Sequence, residues 1–175
     1  MRIYNLQPHQ KELAKSLLKL NQKNLHYLVS QPNENFKNHT ISEIRKHIKA
    51  GIRKYSKDFL LHNYYPGAEN QLFQYVAFIE YPKEFYLSIS KVDADIFSMY
   101  KGVHFHLFIS SISLYVDMAQ LFYYIFKELS SQEIKQQSIR KYDYKKIEHL
   151  SKEFAEYHTK QHYHYVDGER ILTNI

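Results

Sequence analysis

The sequence contains no cysteine. Disulfide bonds, thiolate metal sites and a cysteine nucleophile are therefore excluded. Any metal site must use histidine, carboxylate, carbonyl or water ligands, a set that suits ions such as Mg²⁺, Mn²⁺ or Zn²⁺. The absence of cysteine also fits a cytoplasmic protein.

Glycine and proline are scarce, at four residues each. No glycine-rich nucleotide-binding loop is present, so we expect no helicase activity in this chain. No run reaches the roughly 18 apolar residues that span a bilayer. Residues 1–20 hold no uninterrupted apolar stretch either, so we expect neither a membrane segment nor a secretory signal.

Positive charge and aromatic rings are abundant. The net charge is +6, and there are 17 tyrosines and 11 phenylalanines. A basic surplus suits a polyanionic partner, although it can equally be a solubilising surface. The rings can stack on unpaired bases, or they can fill the core and the faces of a sheet.

Apolar periodicity predicts an α+β protein with one mostly antiparallel central sheet and helices packed on it. Helical spacing of apolar residues predicts helices over residues 8–22, 41–55, 114–129 and 147–161. β-prone runs predict strands over residues 24–30, 73–81, 85–90 and 103–112, with an edge strand near 138–144. At 175 residues, the chain suits a single domain over 1–175.

Two histidines lie two residues apart in the strongest predicted strand. His104 and His106 leave the same strand face, about 6–7 Å apart, and can share one metal ion. They can also be structural, because the chain has 11 histidines and a second such pair at His162 and His164. The preceding long strand ends in Glu80, which can complete a two-histidine, one-carboxylate site if the two strands pair.

The segment from Glu80 to Ile109, with its His104-Phe105-His106 motif, resembles the HUH endonucleases. This superfamily includes rolling-circle replication initiators and relaxases. The resemblance implies an RRM-like or palm-like core over about residues 24–162. It also implies a Mg²⁺ or Mn²⁺ site held by both histidines and Glu80. The stretch from Glu80 to His104 is longer than in compact viral members.

The family's nucleophile is a tyrosine on a later helix, often followed three residues on by a lysine. Tyr157 with Lys160 and Tyr124 with Lys127 both match. Helical phase places Tyr157 in the predicted buried stripe and Tyr124 on the flank of its own stripe. We therefore expect Tyr157 to attack DNA and Lys160 to assist, with Tyr124 as the alternative nucleophile.

The resemblance implies an enzyme that nicks and rejoins single-stranded DNA at an origin through a covalent 5′-phosphotyrosine intermediate. The expected partners are single-stranded DNA or an origin hairpin, and further replication proteins or a C-terminal domain. Tyr163 and Tyr165 could be second catalytic tyrosines. The alternatives are a single-strand HUH transposase and a non-catalytic DNA-binding protein. We expect a soluble, cytoplasmic protein of bacterial, viral or plasmid origin.

Overall fold

The computed structural model describes residues 5–29, 41–63, 71–80, 104–129, 144–159 and 171–175, which form a five-stranded antiparallel sheet with packed helices. The helices are α1 (Pro8–Leu18), α2 (Ile41–His62), α3 (Met118–Leu129) and α4 (Lys152–Thr159). The strands are β1 (Leu25–Val29), β2 (Phe73–Glu80), β3 (His104–Ser111), β4 (Tyr144–Ile147) and β5 (Ile171–Thr173). The predicted α+β class is confirmed.

The strand order is β4-β1-β3-β2-β5. The first four strands and the two helices α2 and α3 follow the order βαββαβ, which is the split βαβ arrangement of ferredoxin-like sheets. β3 pairs antiparallel with both β1 and β2 and therefore lies at the centre of the sheet. The centre of the sheet thus carries the histidine motif.

One face of the sheet is covered by α2 and α3. The isoleucines of α2 recur at helical spacing and are buried there, and the same buried stripe continues through Tyr55 to Phe59. Inward-facing β3 residues Phe105, Leu107 and Ile109 meet it from the sheet. Alternation along the strand places these three residues on the face opposite to His106.

The other face of the sheet is covered by α1 and α4, which also contact each other. Its apolar residues form a second core of Ala14, Leu17, Leu20, Leu25, Val76, Phe78, Phe108, Ile147, Leu150 and Ala155. The described residues thus form three layers, with two helices on each side of the sheet. His106 belongs to the face that α1 and α4 cover.

Capping explains where two helices differ from their predicted starts. α4 begins at Lys152 rather than at residue 147, because the Ser151 hydroxyl accepts a hydrogen bond from the Phe154 amide. Asp117 caps α3 in the same way by accepting from the Gln120 amide, so α3 begins at Met118 rather than at 114.

The other differences concern the ends of elements. α1 ends at Leu18 rather than at residue 22, and α2 continues to His62, seven residues past its predicted end at residue 55. The edge strand spans Tyr144–Ile147, later than predicted. The predicted strand over 85–90 lies outside the described residues.

Among the described helices, none is long and apolar enough to cross a bilayer.

Gly51 sets the distance between α2 and α3. A Cβ added at this position would lie 2.6 Å from the Cα of Ile125. We expect Gly51→Ala to lower the free energy of unfolding by about 1–3 kcal/mol, because overpacking outweighs the better helix propensity of alanine. Urea unfolding would measure the change. A neutral or stabilising effect would show that α3 can move away without cost.

The neighbouring Ala50→Gly is the matched control for Gly51→Ala. Ala50 is half-buried and lies on the outer side of α2. Its replacement should cost only about 1 kcal/mol, the ordinary propensity difference between the two residues.

His26 makes stability depend on pH. Burial lowers its pKa below the ordinary 6.5, a backbone hydrogen bond at Asn24 partly opposes this, and the charge of Lys146 lowers the pKa further. The unfolded chain therefore binds this proton more readily than the folded chain does. The contribution of neutral His26 to the free energy of unfolding should be fully present above pH 6.5. It should decrease as the pH drops from 6.5 towards the pKa of His26 in the folded protein.

Urea midpoints at neutral and mildly acidic pH would measure this effect. His26→Gln should show a smaller loss on acidification than the unchanged protein. An equal loss in both proteins would assign the pH dependence to other groups.

Candidate functional site

His106 lies in the centre of the sheet, two residues after the start of β3. Its register partners are Val29 on β1 and Phe78 on β2. Its side chain is half-buried, on the face covered by α1 and α4. A metal or substrate held by this imidazole would therefore lie between the sheet and the helical layer.

The two long strands pair antiparallel, which is the condition on which the Glu80 assignment depends. Glu80 is the direct register partner of His104, and Phe78 is the partner of His106. Directly opposed residues of an antiparallel pair share one face of the sheet, as do residues two apart on one strand. Glu80, His104 and His106 thus occupy adjacent positions on one face, as a shared site requires. Their role as metal ligands remains a prediction.

Tyr27 orients the His106 ring. The two rings are stacked, with centroids 5.7 Å apart and planes 8° apart. The Tyr27 hydroxyl also shares a hydrogen bond with His106 Nδ1. Histidines that bind metals usually hold their second ring nitrogen in such a bond, which fixes the tautomer and the direction of the ring. Nε2 is therefore the atom that would meet a metal ion.

His158 on α4 completes this cluster from above the sheet. It is 3% exposed, and its ring centroid lies 4.9 Å from that of His106 and 5.5 Å from that of Tyr27. Phe154, one turn earlier on α4, packs against His158 with centroids 4.6 Å apart. α4 therefore docks on the sheet through rings that surround His106.

Tyr157 does not have the predicted orientation. Its side chain is 41% exposed, whereas the next residue, His158, is buried. The predicted phase was wrong because Ile147 belongs to β4 and Leu150 precedes the helix. Tyr157 nevertheless contacts the cluster edge-on, with its ring centroid 5.2 Å from that of His158. Lys160, Tyr163, Tyr165 and the second histidine pair lie outside the described residues.

Tyr124 lies on the other side of the sheet from His106. Its ring packs edge-on against Tyr55 in the core between α2 and α3. Its hydroxyl donates a hydrogen bond to the Asp58 carboxylate, which raises the pKa of Tyr124 and keeps the phenol protonated. The sheet separates this tyrosine from the histidine pair, so the structure does not bring the alternative nucleophile to the site.

Divalent metals fit the chemistry of this face. Imidazole and carboxylate are the ligand types that Mn²⁺ and related ions accept in a cysteine-free chain. Among the side chains that the structure describes, no three His, Asp or Glu residues converge on a point that could hold a metal. The register positions of His104 and Glu80 beside His106 support the fit, together with the hydrogen bond at Nδ1.

Sequence reasoning missed Tyr27 and His158. Tyr27 carried a usable signal, because alternation in the predicted first strand places it on one face with Leu25 and Val29. His158 could have been found from Ser151, a good N-cap residue. A helix that starts after Ser151 presents Phe154, Ala155 and His158 on one side.

Comparisons with family models, curated proteins and solved structures found no match to this chain.

The different burial of two adjacent residues on α4 can be tested. We expect His158→Ala to lower the free energy of unfolding by roughly 2–4 kcal/mol, because it removes a buried ring from the centre of the cluster. Tyr157→Ala on the same turn should cost less than about 1 kcal/mol. Urea unfolding of both variants would measure the difference, and the reverse ranking would mean that Tyr157 docks the helix.

Proposed function

We propose that this protein is a metal-dependent endonuclease that nicks and rejoins single-stranded DNA through Tyr157. The observation that carries the proposal is the register of β2 and β3, in which Glu80 is directly opposite His104. His106, two residues after His104, occupies a position on the same face of the sheet. α4 covers that face and carries Tyr157 next to the ring cluster. Tyr157 contacts His158, whose ring packs against that of His106, and a tyrosine hydroxyl can attack a phosphodiester and form a covalent ester.

The proposed step forms one covalent bond and breaks another. The Tyr157 phenol loses its proton, Oη bonds to the phosphorus, the P–O3′ bond breaks, and the 3′ oxygen takes up a proton. The 5′ end is then held as a phosphotyrosine ester, and the reverse step rejoins the strand. The 41% exposure of Tyr157 suits this role, because an incoming strand must reach the hydroxyl.

The chain's own residues would hold and orient the site. His104, His106 and Glu80 would bind Mg²⁺ or Mn²⁺, and Tyr27 would keep the His106 ring aligned through its hydrogen bond at Nδ1. A bound ion would polarise the scissile phosphate and offset the charge that develops there. Lys160, three residues after Tyr157, would position the phosphate or favour the phenolate.

This chemistry would start rolling-circle replication or plasmid mobilisation, with single-stranded DNA or an origin hairpin as substrate. Tyr157 is favoured over Tyr124 because only Tyr157 lies on the side of the sheet that holds His106. The hydrogen bond to Asp58 further disfavours a Tyr124 phenolate.

Covalent trapping tests the nucleophile. Incubation with Mn²⁺ and a pool of labelled single-stranded oligonucleotides should give a protein–DNA adduct that survives denaturing gels. We expect Tyr157→Phe to abolish the adduct while oligonucleotide binding persists. Tyr124→Phe is the matched control and should leave the adduct unchanged. Loss of the adduct in Tyr124→Phe alone would refute the assignment of Tyr157.

Metal binding can be measured without activity. Calorimetric titration should detect Mn²⁺ binding that His106→Ala weakens by about tenfold or more, since one ligand is lost. His149→Ala is the control, because His149 is exposed and lies after β4, at the opposite end of that strand from the predicted site. If no ion binds and no adduct forms, the protein is not this enzyme.

A further inference from the structure

A basic cleft lies on the side of the sheet away from His106. It has a volume of about 890 Å³ and runs between the outer side of α2 and the first residues of β2, with Asn174, the residue after β5, in its lining. Such a volume is within the range of ligand-binding clefts. The buried residues Leu72 and Phe73 form part of its floor.

Four cations of α2 line this cleft. Lys46, Lys49, Arg53 and Lys57 recur at helical spacing on one side of the helix, and all four are exposed. At 1.5 Å per residue they form a row about 16 Å long. Among the described residues, none of the four takes part in an ion pair. The row can therefore neutralise several negative charges of one extended ligand.

No acidic residue is among the described residues that line the cleft. A row of four cations with no acidic residue beside it suits a ligand that carries several negative charges along its length, as a nucleic-acid backbone does. The aromatic rings of the lining, Phe73 and Tyr75, are 3% and 9% exposed. They offer no open ring face on which unpaired bases could stack, which favours contact with a backbone over contact with bases.

We propose that this cleft, the α2 cleft, binds the phosphate backbone of duplex DNA. It is a second DNA site, separated by the sheet from the face that carries His106. The proposal does not depend on nicking, because the α2 cleft shares no residue with the histidine face. A protein with both sites could hold a duplex flank on one side while a single strand occupies the other.

Fluorescence anisotropy with a short labelled duplex of arbitrary sequence tests the proposal. The double variant Lys49→Glu/Arg53→Glu should weaken binding by about tenfold or more at 0.1 M salt. The slope of log affinity against log salt should also lose about two units in magnitude, one for each phosphate contact removed.

The matched control is Lys11→Glu/Lys23→Glu, which makes the same change in net charge at exposed positions before β1. It should change duplex affinity by less than about threefold. If the charge-reversed helix does not fold, as judged by circular dichroism, Lys49→Gln/Arg53→Gln removes the same two contacts without adding negative charge. Covalent trapping of a single-stranded oligonucleotide by the cleft variants, measured in parallel, reports on the nicking proposal separately.

Equal weakening by the cleft and control variants would overturn the proposal, because net charge alone would then account for binding. It would also be overturned if the cleft variant kept its affinity for the duplex but lost affinity for vesicles of anionic lipid or for polyglutamate. Selective loss of duplex binding in the cleft variant alone is the expected result.

Discussion

The antiparallel pairing of β3 with β2 is the constraint on which the rest of the structure depends. Eight consecutive residues of each strand are in register, from Phe73 opposite Ser111 to Glu80 opposite His104. Because side chains alternate along a strand, this one register decides which residues face α2 and α3 and which face α1 and α4. A slip of one residue would move His106 into the larger apolar core.

The two faces of β3 have different physical characters. Phe105, Leu107 and Ile109 point into a core that consists mainly of apolar side chains, and α2 and α3 pack closely there at Gly51. The opposite face places the imidazoles of His106 and His158 among aromatic rings, with the Tyr27 hydroxyl as a hydrogen-bonding partner. Polar groups in such a layer need fixed partners, since unsatisfied ones are costly to bury. The same partners that stabilise the layer therefore also orient the rings, which is what a catalytic or metal site needs.

Two proposed sites use the two sides of the sheet in different ways. The proposed site on the histidine face would combine a tyrosine nucleophile with imidazole and carboxylate positions for chemistry on a phosphodiester. The α2 cleft has a row of cations and no described acidic residue, which suits binding through charge alone. α2 takes part in both the core and the cleft, because its isoleucines face the sheet while the four cations of the cleft face outward.

Periodicity in the sequence by itself determined the α+β class, the isoleucine stripe of α2, the β2 and β3 strands and the shared face of His104 and His106. These features depend on local alternation, which a sequence displays directly. Tertiary structure alone decided the orientation of α4, the burial of His158, the contact of Tyr27 with His106 and the separation of Tyr124 from the site. The physical reason is that each of these depends on strand register or on helix phase set by a cap such as Ser151, and a one-residue change in either turns a side chain to another face.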